Sequence, residues 1–220
     1  MRVETSATDL KTIVARIEDR KDPDRSMAIA RFFETDRSEG GSYEVVKTCL
    51  NLIQENKLSP EDLAPHLPLI VEFWNLAFAE VARLQHSGPD VDWMYDDKYR
   101  WPRSYAGVFL DLLGYLPKVT AVPHLRTALS LCDPQLKMWA VISLLRQCEP
   151  LRPDDVQQVA SSNATRITLW ENLRELGRTR LMPPDWATPE ALAASALTVW
   201  AATADLSTAL QAKSTPGREA

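Results

Sequence analysis

The chain has 220 residues, of which 45% are hydrophobic and 25% charged, proportions that are typical of a folded protein and that exclude a disordered or fibrous chain. This length favours a single domain with a sizeable core, which we expect to span residues 1–211. A net charge of −5 and a sequence pI near 5.3 argue against nucleic acid as the main partner, because phosphate binding depends on a clustered positive field.

Apolar residues recur at helical spacing along almost the whole chain, and only seven glycines interrupt them, so the sequence predicts an all-α fold of about ten helices. In chain order we expect helices at residues 6–20, 23–36, 42–56, 60–86, 101–114, 122–131, 134–147, 153–161, 164–177 and 189–211. A capping side chain precedes a proline at three of the starts, which are Ser59-Pro60, Asp133-Pro134 and Thr188-Pro189. The last residues, 212–220, are polar and lack anchors, so we expect a disordered tail.

The sequence gives no indication of a membrane span or of export. The most apolar stretch, residues 67–84, carries Glu72, Glu80 and Arg83, whereas a membrane helix needs an uncharged span. The start, MRVETSATDL, has no apolar run behind its basic residue and does not resemble a signal peptide. The three cysteines form no C-x-x-C pair, which indicates reduced thiols. We therefore expect a cytoplasmic protein without a membrane partner.

Two residue types recur along the chain with a common period. The positions are Pro123, Pro153 and Pro183, spaced by 30 residues, and Trp139, Trp170 and Trp200, at intervals of 31 and 30. A period of 30 to 34 residues with two helices per unit is typical of an α-solenoid, in which helix pairs bury their apolar faces by stacking on one another. The alternative is an ordinary helical bundle in which the prolines coincide by chance.

Two segments carry the repeat most clearly: GYLPKVTAVPHLRTALSLCDPQLKMWAVISLLRQ (114–147) and LRPDDVQQVASSNATRITLWENLREL (151–176). They resemble HEAT-like repeats in a short form, with a proline opening the first helix, a capped turn, and a bulky residue midway along the second helix. The resemblance covers about residues 98–210, and residues 1–86 do not display it; Lys137 and Arg166 match the family's arginine after the turn only loosely. It implies a right-handed α-solenoid of antiparallel helix pairs that binds along one face, and it implies no catalytic residue.

Patterns of catalytic or metal-binding residues are absent from the sequence. The three histidines have no ligand at a metal-site spacing; they are His66, His86 and His124. Asp90, Asp92 and Asp96 begin like a calcium loop. However, Tyr95 and Trp101 stand where that loop needs a glycine and a bidentate glutamate. The phosphate-binding and nucleophile-elbow motifs do not occur either. We therefore expect no metal, no cofactor and no catalytic residue.

Residues 89–105, PDVDWMYDDKYRWPRSY, combine five aromatic rings with four aspartates. They interrupt the repeat, and insertions in solenoids often project on the binding face. Aromatic and arginine side chains are also enriched in interface hot spots. We therefore predict that a partner is bound by Asp90, Asp92, Trp93, Tyr95, Asp96, Asp97, Tyr99, Trp101 and Arg103. The alternative is that the rings pack into neighbouring repeats while the aspartates stay hydrated.

Charge is distributed unevenly along the chain. Residues 1–97 hold 11 basic and 19 acidic side chains, a net charge of −8, whereas residues 98–180 hold 12 basic and 7 acidic ones, a net charge of +5. Second helices often line the concave surface of such solenoids, which predicts a secondary basic groove formed by Arg146, Arg166, Arg174 and Arg178. The alternative is a set of solvated helix faces with ordinary ion pairs.

The lack of catalytic motifs and the extended surface of a repeat fold favour a non-enzymatic protein-binding module, whose partner we expect to have a basic surface. A compact acidic cytoplasmic protein of this size resembles the bacterial immunity proteins that neutralise toxins. An assembly or chaperone-like adaptor is a second alternative. The enzymatic alternative is a HEAT-like DNA glycosylase that acts on alkylated bases, with Asp111, Asp133 or Glu171 as the acid beside Trp139 and Trp170.

Overall fold

The computed structural model describes residues 7–34, 39–85 and 92–213 of the chain. These residues form ten α-helices and four short 3₁₀ helices, and they contain no β-strand. The prediction of an all-α fold is therefore confirmed. Of the helices described, none is both long and apolar enough to cross a membrane.

The helices follow the predicted order. The α-helices are α1 (Ala7–Glu18), α2 (Arg25–Glu34), α3 (Glu39–Gln54), α4 (Leu67–Leu84), α5 (Asp97–Leu113), α6 (Lys118–Ala128), α7 (Pro134–Arg146), α8 (Pro153–Ser161), α9 (Arg166–Glu175) and α10 (Pro189–Lys213). The 3₁₀ helices are Pro60–His66, Asp92–Tyr95, Thr179–Leu181 and Pro184–Trp186. Each predicted α-helix is present, and three of them, α4, α5 and α6, start more than three residues from the predicted position.

The three predicted caps form as expected. Ser59 accepts a hydrogen bond from the amide of Glu61 at 3.2 Å. Asp133 caps α7 by accepting from the amides of the second and third helical residues, at 2.7 and 3.2 Å. The Thr188 hydroxyl accepts from the Ala191 amide at 3.2 Å. Each cap satisfies an amide that has no partner within its own helix.

Three predicted helix starts lie more than three residues from the observed ones. The helix expected at 122–131 begins at Lys118, so Pro123 lies inside α6 and does not open it. The helix expected at 60–86 begins as a 3₁₀ segment, and the regular α-helix starts only at Leu67. Pro65 explains the break, because it has no amide hydrogen and its ring clashes with the carbonyl four residues earlier. The helix expected at 101–114 begins at Asp97, because Asp96 caps it by accepting from the Lys98 amide at 2.8 Å. Residues 97–105 therefore form the first half of α5.

The described residues divide into two compact units, one within residues 1–150 and the other within residues 151–220. This division does not decide whether residues 1–211 form one domain, which stays a prediction, and residues 214–220 of the expected tail lie outside the described residues. In the first unit α5 is central, since it packs against α3, α4, α6 and α7. Its buried face carries Tyr105, Ala106, Phe109, Leu110 and Leu113.

The contact between α5 and α7 depends on a glycine. A Cβ atom placed on Gly114 would lie 2.7 Å from the Oγ of Ser143 and 2.9 Å from its Cβ, closer than van der Waals contact allows. The Ser143 hydroxyl in turn donates to the carbonyl of Leu110 at 2.7 Å. The two helices therefore approach closely where α5 ends, and no larger residue fits at 114 without displacing α7.

Three helices end in the same way, each with a residue in the left-handed region. These residues are Asn56 after α3, Cys148 after α7 and Gly177 after α9, with φ of 56°, 55° and 65°. In each case the following amide donates to a carbonyl near the helix end, at 2.7, 2.9 and 2.7 Å in chain order. This is the Schellman ending, in which glycine is normally preferred because a Cβ is unfavourable there.

In the second unit α9 packs against α8 and α10. The Ser195 hydroxyl of α10 accepts from the Ile167 amide at 2.9 Å and donates to the Asn163 carbonyl at 2.6 Å, which holds the start of α9 to α10. The periodic tryptophans do not share one environment. Trp139 and Trp170 are half-buried, whereas Trp200 is 69% exposed on α10.

Candidate functional site

An open cleft of about 380 Å³ lies on the first unit, along α5. Its floor is one face of α5, formed by residues spaced three or four apart: Arg100, Arg103, Ser104, Gly107, Val108 and Asp111. One wall is Leu50 of α3, and the other wall is made by Gln135, Leu136 and Trp139 of α7. The cleft is therefore apolar inside and carries charged and polar side chains as well.

Gly107 lies in the middle of the floor, and because it has no side chain it leaves the cleft open at this point. A Cβ at this position would lie 3.8 Å from the Leu136 side chain and 3.8 Å from the Trp139 ring, which is ordinary contact. Alanine therefore fits at 107, whereas a larger side chain would occupy the cleft.

A buried carboxylate lies beside one end of the cleft. Asp133 has no exposed surface, and its Oδ2 lies 2.7 Å from the Nε of Arg103. This contact is an ion pair rather than an aligned hydrogen bond, because the Nε–H does not point at the oxygen. The Tyr99 hydroxyl donates to the same oxygen at 3.0 Å and accepts from the Gln85 amide group at 3.0 Å. The Gln85 oxygen accepts from the Cys132 amide, so the group joins α4, α5 and α7.

This environment changes the acidity of Tyr99. Burial raises the pKa of its hydroxyl far above the ordinary value, and the negative charge of Asp133 raises it further. The hydroxyl is therefore held in its protonated form as a donor to the carboxylate, which is a structural role.

A second acid, Asp111, lies at the other end of the cleft. Arg146 forms an ion pair with its Oδ1, and Gln54 donates to its Oδ2 at 3.4 Å. The Arg146 guanidinium also lies 4.8 Å from the centre of the Tyr115 ring. Both acids near the cleft are thus compensated by an arginine. By contrast, Arg100 is exposed and has no ion-pair partner among the residues that the structure describes.

A row of aromatic rings runs beside the cleft. Trp101 is 41% exposed, with its ring 4.8 Å from that of Tyr43 and stacked at 6.5 Å on that of Tyr105. Tyr105 meets Phe109 edge to face at 5.0 Å, so the row continues into the core. Lys47 of α3 lies 5.6 Å from the Tyr43 ring. We call Tyr43, Trp101, Tyr105 and Phe109 the aromatic row.

The residues predicted to bind a partner are divided by the structure. Asp96, Asp97 and Trp101 are exposed. Tyr99 is 1% exposed, and Trp93 is half-buried and meets the Tyr99 ring edge to face, with 4.8 Å between the ring centres. Arg103 pairs with Asp133, as described above. Asp90, together with the side chains of Asp92 and Tyr95, lies outside the described part of the chain. Tyr99 therefore packs into the core, as the alternative predicts, whereas partner binding by the exposed Asp96, Asp97 and Trp101 stays a prediction.

The residues of the predicted basic groove have different surroundings. Arg146 belongs to the first unit and pairs with Asp111. Arg166 is only 3% exposed, because its guanidinium donates to the carbonyls of α8 and α10 at 2.7 to 3.0 Å and covers the Trp186 ring at 4.3 Å. Of the remaining two, Arg174 is exposed and Arg178 half-buried.

The glycosylase candidates are divided between the two units. Asp111 and Trp139 line the cleft together, and Asp133 lies behind Arg103. Trp170 and the exposed Glu171 belong to the second unit. Sequence reasoning found neither the cleft nor Arg100, although the spacing from Arg100 to Asp111 on α5 was a usable signal. Among the described residues, no three histidine, cysteine or acidic side chains come together as a metal site.

No protein-family model, no curated protein and no solved structure matches this chain. Its function is therefore argued from its own residues.

Proposed function

We propose that this chain is a non-enzymatic protein-binding module with the architecture of a right-handed HEAT-like α-solenoid of antiparallel helix pairs. Two observations support the architecture. The helices α3, α5 and α7 pack on one another in sequence, each skipping the helix between, as one layer of a solenoid does. In addition, α3, α7 and α9 share the left-handed ending described above.

The exposed Trp101 ring is the observation that carries the proposal. Large rings are enriched at the centres of protein interfaces, because they bury much area at little cost in side-chain entropy. Trp101 is held from behind by two tyrosines of the aromatic row, so its position is fixed before a partner arrives. The cleft lies on the next face of α5 and provides a concave site beside this ring.

The charges next to Trp101 indicate what faces it. Asp96 and Asp97 are exposed at the start of α5, one helical turn before Trp101. Together with the net charge of −5, they favour a partner with a basic surface. The best specific proposal is an immunity protein that binds and neutralises a bacterial toxin. An assembly or chaperone-like adaptor would use the same surface and is distinguished by its partner.

A DNA glycosylase for alkylated bases is the second candidate, and one observation favours it. An acid, a tryptophan and two arginines line the same cleft, as base excision would require. However, Asp111 is held by Arg146 and Asp133 by Arg103. Neither carboxylate is available as a free base in this arrangement, so the binding function is preferred.

The test of the proposal is calorimetry with a candidate toxin as the partner, namely the protein encoded next to the gene for this chain. We expect Trp101→Ala to weaken binding by about 2 kcal/mol, the scale of an interface hot spot. Trp200→Ala removes another exposed tryptophan, lies in the other unit, and should leave affinity unchanged. Equal effects of the two variants would count against the aromatic row as the contact. Release of alkylated bases from duplex DNA by the purified protein would instead establish the second candidate.

The two aspartates at the start of α5 are expected to affect the association rate rather than the dissociation rate. Replacing Asp96 and Asp97 together by asparagine should slow association and reduce its dependence on salt, with little change in the dissociation rate, because exposed charges act mainly on encounter. Faster association of this variant would show that the partner surface is acidic.

A further inference from the structure

The cleft on α5 has two kinds of lining that lie at different places. Its buried and half-buried lining is made by Leu50, Val108, Leu136 and Trp139, together with Asp111, which pairs with Arg146. Arg100 and Ser104 lie two turns and one turn before Val108 on α5, and both are exposed. A group that enters the cleft therefore passes a charged edge before it reaches an apolar interior.

The uncompensated charge in the cleft is positive. In the ion pair of Arg103 and Asp133, the arginine side chain is 24% exposed and the aspartate is fully buried, so the positive charge lies nearer the solvent. The Asp111–Arg146 pair has nearly equal exposure of both members, at 12% and 17%, and contributes little net charge. Arg100 is exposed and forms no ion pair with a described residue; Asp96 and Asp97 lie one turn before it on α5, outside the cleft lining. The cleft therefore favours an anion at its charged edge.

We propose that the cleft receives one segment of the protein partner in which an aromatic ring stands next to a carboxylate. The ring would lie against Trp139 over Gly107, and the carboxylate would pair with Arg100. The volume of about 380 Å³ holds about a dozen water molecules, which suits a single large side chain and lies near the lower end of the range for ligand-binding pockets. The identity of the occupant as part of a partner rests on the proposed binding function, whereas the ring-and-carboxylate chemistry does not.

Indole-3-propionate is a probe that carries both groups. We expect it to bind with a Kd on the order of 1 mM, as its size allows. The neutral indole-3-propionamide should bind about tenfold more weakly, because a charge-assisted hydrogen bond is lost. Amide chemical shifts followed by NMR give both the affinity and the place, and the largest shifts are expected at Ser104 and Gly107.

Three variants locate the site. Arg100→Gln should reduce the affinity for the carboxylate to that of the amide, whereas Lys98→Gln removes an exposed charge of α5 that does not line the cleft and should change nothing. Gly107→Leu should abolish binding of both probes by filling the cleft. Because Arg100 is exposed, its variant tests the inference even if Gly107→Leu does not fold.

The outcomes separate the two proposals. Equal binding of carboxylate and amide, equal effects of Arg100→Gln and Lys98→Gln, or no shifts up to about tenfold above the expected Kd would each overturn the inference and leave the role of Trp101 intact. If the protein partner is bound but the probe does not compete with it, the partner segment is not the occupant. If no protein partner exists but the probe binds as expected, the proposed function fails and the ring-and-carboxylate chemistry of the cleft stands.

Discussion

Replacing Asp133 by asparagine is the sharpest test of what holds the first unit together. Asparagine keeps the oxygen that caps α7, so the two amides that Asp133 accepts from stay satisfied. It replaces the other oxygen by an NH₂ group, which faces the Arg103 guanidinium and the Tyr99 hydroxyl. The change therefore removes the charge and leaves the helix cap in place.

The expected loss of stability follows from this geometry. Removing one member of a buried ion pair costs about 3 to 5 kcal/mol, because the other charge stays buried without compensation. Arg103 is 24% exposed and reaches water in part, so the lower end of that range applies, about 3 kcal/mol. Asp133→Ala should cost about 1 kcal/mol more, since the cap is lost as well.

Arg103→Met provides the control for this reasoning. If the cost of Asp133→Asn arises from an uncompensated arginine, the double variant Asp133→Asn/Arg103→Met should be more stable than Asp133→Asn alone, by about 1 to 2 kcal/mol. Unfolding in urea, followed by circular dichroism and by tryptophan fluorescence, gives these differences. Both signals are needed, because the chain forms two compact units and coincident transitions must be verified. A cost below about 1 kcal/mol for Asp133→Asn, or no recovery in the double variant, would refute the role of the pair.

Four further predictions follow from the packing and the termini of the helices. Cys148→Gly should raise the free energy of unfolding by about 1 kcal/mol, seen as a higher melting temperature, because the residue has φ 55°. Gly114→Ala should lower the free energy of unfolding by about 2 kcal/mol, since its Cβ would lie 2.7 Å from a hydroxyl oxygen of α7. Gly107→Ala meets only contacts at 3.8 Å and should stabilise α5 by up to about 1 kcal/mol. Burial raises the pKa of Tyr99, so the folded chain keeps a proton that the unfolded chain loses above about pH 10. Stability should then fall with rising pH, and the fall should be about 1.4 kcal/mol per pH unit shallower in Tyr99→Phe, which lacks this contribution. Burial likewise raises the pKa of Cys49, so a thiol reagent should label only the two exposed cysteines of the native chain, and labelling of all three would contradict the packing of α3.

Helix positions could be predicted from the sequence because they are decided locally. The cap at Asp133 depends on residues 133 to 136, and the cap at Thr188 on residues 188 to 191. Each can therefore be predicted from four consecutive residues. The break before Leu67 was also local in origin. It was missed because the proline at 60 was read as a helix start, while Pro65, five residues later, was not weighed as an interruption.

The partners of the polar side chains could not be predicted, because they join distant parts of the chain. Asp133 meets Arg103 and Tyr99, which precede it by 30 and 34 residues. Its place on a second helix predicts that Arg166 lines the basic groove. Backbone carbonyls at the ends of two other helices satisfy it instead, and no sequence pattern announces such an arrangement.

Only the α5 side of the candidate cleft could be predicted from the sequence. Arg100, Ser104, Gly107 and Asp111 fall on one face of α5 by helical spacing alone. Trp139 had been singled out for its place in the repeat, without a partner on another helix. The sequence does not show how α3 and α7 lie against that face; for α7 this placement depends on the fit of Gly114 to Ser143.

The left-handed helix endings have a consequence for how this architecture can drift over evolutionary time. Asparagine, cysteine and glycine occupy the same backbone torsion after α3, α7 and α9. A unit can therefore preserve its geometry while exchanging the residue that marks it, at a cost of about 1 kcal/mol whenever glycine is lost. The backbone torsion at these three helix ends is therefore the same although the residue differs at each.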